Sequence, residues 1–336
     1  MRLGRYIVRR LVLLIPQLFG ISLITFMLIH LIPGDPAYTI AGSLATEETI
    51  KNIQHRMALD QPLPVQYVLY LERLSHGDLG DSYVAGRAVK DDLVERVPAT
   101  LELITISFLL AVLIAVPLGV LLAMRGGGVA ERAVMGYGLL AGAIPDFWLA
   151  LLLAFVFYFQ LQWLPAPIGQ LDIAVSPPPF VTGMLLVDSI LAGDGEALWS
   201  HLGHLVLPVV TLTLLYAAPI LKMTRSSMQS VLSSGFIRYS RAAGLPNGVV
   251  MRYALRNALS PVVTLVGVLY SILLSGAVLV EQVYGWGGAG QYAVQSILNS
   301  DYLAIQGFVL VAGAFALLVY LVVDIVHILV DPRIQH

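Results

Sequence analysis

Glycines come nearest to a chemical motif in this sequence. Gly285, Gly287 and Gly290 in GWGGAG have the G-x-G-x-x-G spacing of a dinucleotide phosphate loop. That loop needs a strand before it and a helix N-terminus after it, so that backbone N–H groups can converge on a phosphate. Here an apolar run of helical length precedes it, which excludes the nucleotide reading. No phosphate loop of the type G-x-x-x-x-G-K-S/T occurs, so any ATP that powers this protein binds to another chain. Ser271 could act as an intramembrane nucleophile only with a His at its depth, and none is there. His30, His201 and His204 lack a metal-like spacing and are read as interfacial. The absence of cysteine removes disulfides and thiolate metal sites. Asp146 is the conspicuous carboxylate, because it interrupts a run that is otherwise apolar from Ala133 to Phe159. A charge at the centre of a membrane helix costs at least about 2.5 kcal/mol, so it must face a partner or a watery path. Both readings stay open. Asp324 and His327 close the last apolar run and are expected to pair with basic residues.

The elements that carry these residues follow from composition. Hydrophobic residues make up 58% of the chain and charged ones 12%, well under the quarter or so of a soluble domain. Charge-free runs long enough to span hydrocarbon lie between Arg10 and Asp35, Glu102 and Arg125, Glu196 and Lys222, Arg256 and Glu281, and Asp301 and Asp324. With the run around Asp146 they predict an all-α membrane protein of six transmembrane helices. Basic residues fix its orientation. Arg2, Arg5, Arg9 and Arg10 precede the first run, Arg125 and Arg132 follow the second, Lys222, Arg225, Arg238, Arg241, Arg252 and Arg256 follow the fourth, and Arg333 follows the last. Short cytoplasmic loops collect Lys and Arg, so both termini are expected to be cytoplasmic. The net charge of −2 carries no information, and nucleic-acid binding has no support. The first run is longer than a signal-peptide core and is read as a retained span.

The expected order is a cytoplasmic N-terminus (1–10), a first span (11–32), an external helical loop (33–98), a second span (99–124), a cytoplasmic loop (125–133), a third span (134–159), and an external loop (160–202). A fourth span (203–221), a cytoplasmic loop (222–259), a fifth span (260–280), an external loop (281–303), a sixth span (304–328) and a cytoplasmic C-terminus (329–336) complete it, with the membrane domain at about 95–325. In the first external loop, Thr46 is an N-cap with Glu47 and Glu48 in the first turn, and Ile50, Ile53 and Met57 recur at helical spacing. A second helix carries Val65, Tyr67, Leu71 and Leu74 before Gly77, and a third runs from Val89 to Val97 into Pro98. The apolar stretch Val181 to Leu191, interrupted by Asp188, is too short to span and reads as interfacial or re-entrant.

Gly267, Ser271 and Ser275 form a small-residue stripe on the fifth span, suited equally to packing within the chain and to a partner helix. The loop after the fourth span mixes basic residues with Val231, Phe236, Ile237, Ala242, Ala243 and Leu245, broken at Gly244, Pro246 and Gly248. Beyond satisfying charge statistics, it looks like a docking platform for a soluble protein.

RYSRAAGLPNGVVMRYALRNALSPVV, from Arg238 to Val263, resembles the coupling segment of ABC importer permeases, in particular the dipeptide, oligopeptide and nickel permease group. The opening from Arg5 to Pro36, LDQPLPVQYVLYLERLSHGDLGDSY from Leu59 to Tyr83, the stretch from Glu281 to Gly307 and the terminal DPRI at Asp331 to Ile334 are similar to the same group, in the same order. The resemblance implies a type I importer permease fold in a bacterial inner membrane. Implied partners are a second homologous permease, one or two cytoplasmic ATPases that bind ATP and Mg, and an external solute-binding protein; this chain itself would hold no cofactor or metal and catalyse nothing. Arg238, Tyr239, Ser240, Arg241, Ala242, Ala243, Gly244, Leu245 and Pro246 would couple to the ATPase. Asp146, Tyr270, Ser271, Ser275 and Glu281 are expected on the translocation pathway, and Asp81, Tyr83, Trp286, Asp301 and Tyr302 at the binding-protein contact.

Two departures stand out. The importer signature begins glutamate–alanine–alanine, where this chain has Arg238, Tyr239 and Ser240, and Asp146 stands where the group tends to have a small polar residue. Dipeptides are the expected cargo, followed by longer peptides, glutathione and nickel complexes. Against these stand a secondary transporter, which would use ionisable groups or broken helices at the membrane centre, and an intramembrane enzyme.

Overall fold

The computed structural model describes residues 3–31, 37–38, 45–56 and 58–330. Met57, Pro33, Asp35, Pro36, Ala41, Gly42, Arg2, Arg333 and the terminal DPRI lie outside the described residues, as do the side chains of Arg5, His30, Ile53 and His327. The helices are α1 (Leu3–Leu31), α2 (Glu47–Arg56), α3 (Leu63–Ser75), α4 (Val89–Arg125), α5 (Val129–Ala143), α6 (Asp146–Leu153), α7 (Leu185–Ala192), α8 (Gly195–Leu232), α9 (Gly235–Ala242), α10 (Asn247–Tyr284), α11 (Ala289–Leu298) and α12 (Tyr302–Val330). A π-helical segment, Ala154–Gln160, continues α6.

Five of these helices, α1, α4, α8, α10 and α12, are long and apolar enough to cross a membrane. The sixth run is not a straight span. Glu131–Ala143 and Asp146–Gln160 meet at 107°. Pro145 explains the break: it has no N–H to continue α5, and its ring holds Ile144 in an extended conformation (ψ 124°). Ile144 N donates to Leu140 O and closes α5, while Trp148 N and Leu149 N donate to Pro145 O and open α6.

The long helices overrun the expected spans. α4 begins at Val89, passes through Pro98 and is 37 residues long, about 55 Å at 1.5 Å per residue against roughly 30 Å of hydrocarbon. α8 continues from the expected fourth span to Leu232, and α10 starts at Asn247 and passes through Pro261. The expected loop 222–259 is therefore two protruding helix ends bridged by the short α9. Charged residues end a hydrophobic run but not a helix, and an interior proline forfeits one hydrogen bond that a packed membrane helix tolerates.

The core lies between α4, α6, α8 and α10, with Leu103, Ile104, Leu212, Ile220 and Leu273 fully buried. Ala111, Ala115 and Gly119 line the α4 face, and a Cβ at Gly119 would stand 2.8 Å from Thr224 Cβ on α8. Close approach of small residues matters because lipid tails leave no hydrophobic drive between helices, only packing and polar contacts. Gly267 plays the same part within this chain: a Cβ there would collide with Val323 of α12. Ser275 of the same stripe is exposed. α1 sits outermost against α12, through Ile21 beside Gly313 and an Arg10–Asp324 pair at 2.9 Å. Asp324 thus pairs with a basic residue as the sequence suggested.

Candidate functional site: an exposed bridging helix, a sealed cap and a broken span

At one end of the bundle α9 bridges α8 and α10. Its one buried residue, Ile237, packs with Met228 of α8 and with Val250, Ala254 and Ala258 of α10. Phe236, Arg238, Tyr239 and the whole stretch from Arg241 to Gly248 are exposed, Tyr239 at 76%. Gly244 closes the helix in the left-handed region (φ +77°), with its N–H on Arg241 O and Leu245 N on Ser240 O. The sequence-predicted coupling residues therefore form one accessible surface on a helix keyed into the bundle. Beside it, Arg225 of α8 is ion-paired to Glu131 of α5, which also accepts from Gly127 N.

The opposite end is sealed by polar contacts that link distant parts of the sequence. Glu281, at the end of α10, has no exposed surface; it accepts from Thr100 Oγ1 at 2.5 Å and from Gln291 N at 2.9 Å. Ala289 N donates in turn to Thr100 Oγ1 at 2.8 Å. A Cβ at Gly288 would stand 2.6 Å from Glu281 Oε2, and one at Gly290 2.8 Å from Val278 Cα. The glycine loop and the start of α11 thus close around the chain's own carboxyl group, that of Glu281, where a phosphate loop would hold its ligand. Trp286, 1% exposed, donates from Nε1 to Ala99 O at 3.1 Å and packs against the His201 ring. His201 is itself fully buried: Nε2 lies 2.6 Å from Glu102 Oε1 and Nδ1 3.1 Å from Gln170 O. Asp301 caps α12 by accepting from Ala304 N, and ties the first loop down by accepting from Ser82 Oγ at 2.6 Å and Val84 N at 3.3 Å. Asp188 accepts from the N–H groups of Val181, Thr182 and Gly183 and from the Thr182 hydroxyl. Burial of Asp188 opposes its charge, but the Thr182 hydroxyl and these N–H groups outweigh it and hold the carboxyl below its ordinary range.

These placements correct several expectations. Trp286, Asp301 and Tyr302 are buried and build the cap, so they are not a binding-protein surface in this conformation; Asp81 is exposed and Tyr83 half-buried. Glu281 does not line a path, because Thr100 and the glycine loop enclose it. His201 and His204 are buried within the protein, His204 Nδ1 lying 2.9 Å from Ser200 O. Ser271 donates to Gly267 O in its own helix, and Tyr270 bonds Thr105 at 2.7 Å beside Phe108 and Phe315. Among the described residues no cluster of three or more metal-ligating side chains occurs. Asp146 stands at the break, in the first turn of α6, half-buried. The Thr100–Glu281 and His201–Glu102 contacts carry no local sequence signal, since their partners lie far apart along the chain.

Residues 115–336 match the family described as the inner membrane component of binding-protein-dependent transport systems, and residues 3–104 match its N-terminal companion. The chain is 43% identical over 94% of its length to a probable D,D-dipeptide transport system permease protein of Escherichia coli K12, covering 93% of that protein. It is 39% identical over 98% of its length to a dipeptide transport system permease protein of Alkalihalophilus pseudofirmus, covering 99% of it. It is also 38% identical to a di/tripeptide transport system permease protein of Pseudomonas aeruginosa, over 98% of each chain. With five helices able to span a membrane, a sixth run broken at a proline and a short exposed helix between two of them, this chain belongs to the inner-membrane permease family of binding-protein-dependent transport systems.

Proposed function

We propose that this chain forms half of the translocation pathway of an ATP-driven importer for short peptides, dipeptides first. The observation that carries the reading is full-length similarity to permeases named for dipeptides and for di- and tripeptides. The α9 end faces the cytoplasm, as the Lys and Arg placement supports, and the capped end faces an external binding protein. A second permease of the same family completes the path, and the ATPase subunits supply all the chemistry.

The coupling follows from how α9 is held. A push on its exposed face moves Ile237, and the packed cluster of Met228, Val250, Ala254 and Ala258 passes that displacement to α8 and α10 together, because a close-packed core transmits strain. The Arg225–Glu131 pair extends it to α5, whose far end is the break at Pro145. At the other end the Glu281 and Glu102 networks tie α4 to the glycine loop and α8, which favours pivoting over sliding.

Reconstitution of this chain with its partner permease, ATPases and binding protein in liposomes tests the reading. Accumulation of labelled dialanine that requires both ATP and the binding protein is expected. ATP-independent uptake driven by an ion gradient would overturn it.

A further inference from the structure

We propose that Asp146 and the Tyr216 hydroxyl form a recognition point for the α-ammonium group of the passing peptide. This deepens, and rests on, the peptide-import reading above.

Three helices meet there. Asp146 opens α6 just after the 107° break, Tyr216 comes from α8, and Gly276 from α10. A Cβ at Gly276 would collide with the Tyr216 hydroxyl and stand 3.3 Å from Asp146 Oδ2, so both oxygens converge on the notch that this glycine leaves in α10. Asp146, Tyr216 and Gly276 are each half-buried, and Ser275, Phe147 and Trp148 beside them are exposed. Among the described residues the Asp146 carboxylate forms no ion pair, unlike Glu131, Asp92 and Asp324. The positive end of α6 supports its negative charge.

A carboxylate and a phenolic oxygen at the mouth of an apolar notch select a cation rich in N–H donors, because charge-assisted hydrogen bonds are the strong ones in such surroundings. A peptide offers one at its α-amino group, largely protonated near neutrality. Its C-terminal carboxylate would be repelled, so the peptide passes the break with its amino end toward α6. Proline at 145 and glycine at 276 are what bring the charge and the notch together: the chain turns by 107° just before Asp146, and any side chain at 276 would displace Tyr216.

The test uses the full importer in liposomes with loaded binding protein, measuring uptake of labelled dialanine, lysylalanine and glutamylalanine beside ATP hydrolysis. Asp146→Asn should lower dialanine uptake per ATP about thirtyfold, the lower end of the range for losing one partner of a desolvated charge pair, and should lower the ratio of lysylalanine to glutamylalanine uptake. Asp146→Glu should restore much of both, and Tyr216→Phe should show a weaker loss. The proposal is overturned if Asp146→Asn and Tyr216→Phe both transport like the wild type with an unchanged ratio. It is overturned as well if Asp146→Asn loses the partner permease while Asp146→Glu keeps it, since Asp146 would then be an ion-pair anchor between subunits. A wild-type complex that accumulates none of the three peptides refutes the import reading itself.

Discussion

Gly244 offers a graded perturbation in which backbone strain and partner contact can be separated. It ends α9 at φ +77°, and a Cβ built there meets no atom within 4 Å. A side chain at 244 therefore costs the isolated chain only the left-handed conformation, about 1–2 kcal/mol for an ordinary residue and less for Asn, which tolerates that region. Gly244→Ala and Gly244→Trp should consequently destabilise the isolated chain to the same degree, and Gly244→Asn least. The exposed stretch from Arg241 to Gly248 cannot register the size difference unless something docks on it. In the assembled importer, Ala should weaken ATPase retention by about fivefold, the ratio that about 1 kcal/mol implies, whereas Trp should abolish it. Thermal unfolding of the purified chain measures the first effect. Co-purification of ATPase and solute-stimulated hydrolysis measure the second. Equal ATPase retention and uptake for Ala, Trp and wild type would refute the docking role and leave the segment a charged anchor. A much lower unfolding temperature for Trp than for Ala would refute the open geometry.

The chain has no cysteine, so single introduced thiols report topology cleanly: Ser176→Cys should react with an impermeant external reagent and Ser233→Cys should not, reversed labelling contradicting the orientation. Ala289, an external-loop position by sequence, is buried under the glycine loop and should resist the reagent from either side. Asp188→Ala strands three backbone N–H groups at roughly 1 kcal/mol or more each and should expose the 176–184 loop to protease. Because the folded Asp188 carboxyl sits below its unfolded range, its contribution is complete above the ordinary carboxylate pKa and is lost as pH falls through the folded value. Loop protection should therefore hold at neutral pH and fail only in acid. His201→Leu leaves Glu102 buried with Leu186 N as its remaining partner and should cost about 1–3 kcal/mol, the penalty of a buried acceptor that loses its hydrogen bond; an unchanged unfolding temperature would show the pair to be dispensable.

The positions of the spans were legible because hydrocarbon demands long charge-free runs, and the close of α9 was legible because Gly244 followed by Leu245 and Pro246 is a local signal. Helix ends were not. Val89 to Val97 reads as a separate external helix ending at Pro98, and Arg225 to Leu232 as part of a cytoplasmic loop, yet each continues a membrane helix into water where charges cost nothing. The break at Pro145 was missed because a proline within an apolar run has two outcomes. Pro98, Pro117, Pro208, Pro219 and Pro261 all lie within continuous helices; tertiary packing, not the proline itself, selects between bending through and breaking.

Residue type also failed to separate the polar groups that hold this protein together from those it offers to others. Glu281, Trp286, Asp301 and His201 looked like candidates for pathways or surfaces, and each proves to have its partners inside the chain: Thr100, Ala99, Ser82 and Glu102. By contrast, among the described candidate residues Asp146 at the break, half-buried, and Arg238, Tyr239 and Arg241 on α9, exposed, make no side-chain hydrogen bond or ion pair with another residue of the chain. A buried polar group must be satisfied somewhere. In a subunit built to work in a complex, the functional residues are then those whose satisfaction lies outside the chain. That distinction needs the long-range contacts, which neither composition nor spacing contains. On the proposed function it also accounts for the division of the molecule: the capped end, closed by its own side chains, would serve as a fixed point, whereas the α9 end and the Asp146 notch would be completed by an ATPase and by a passing peptide, and would be where binding does mechanical work.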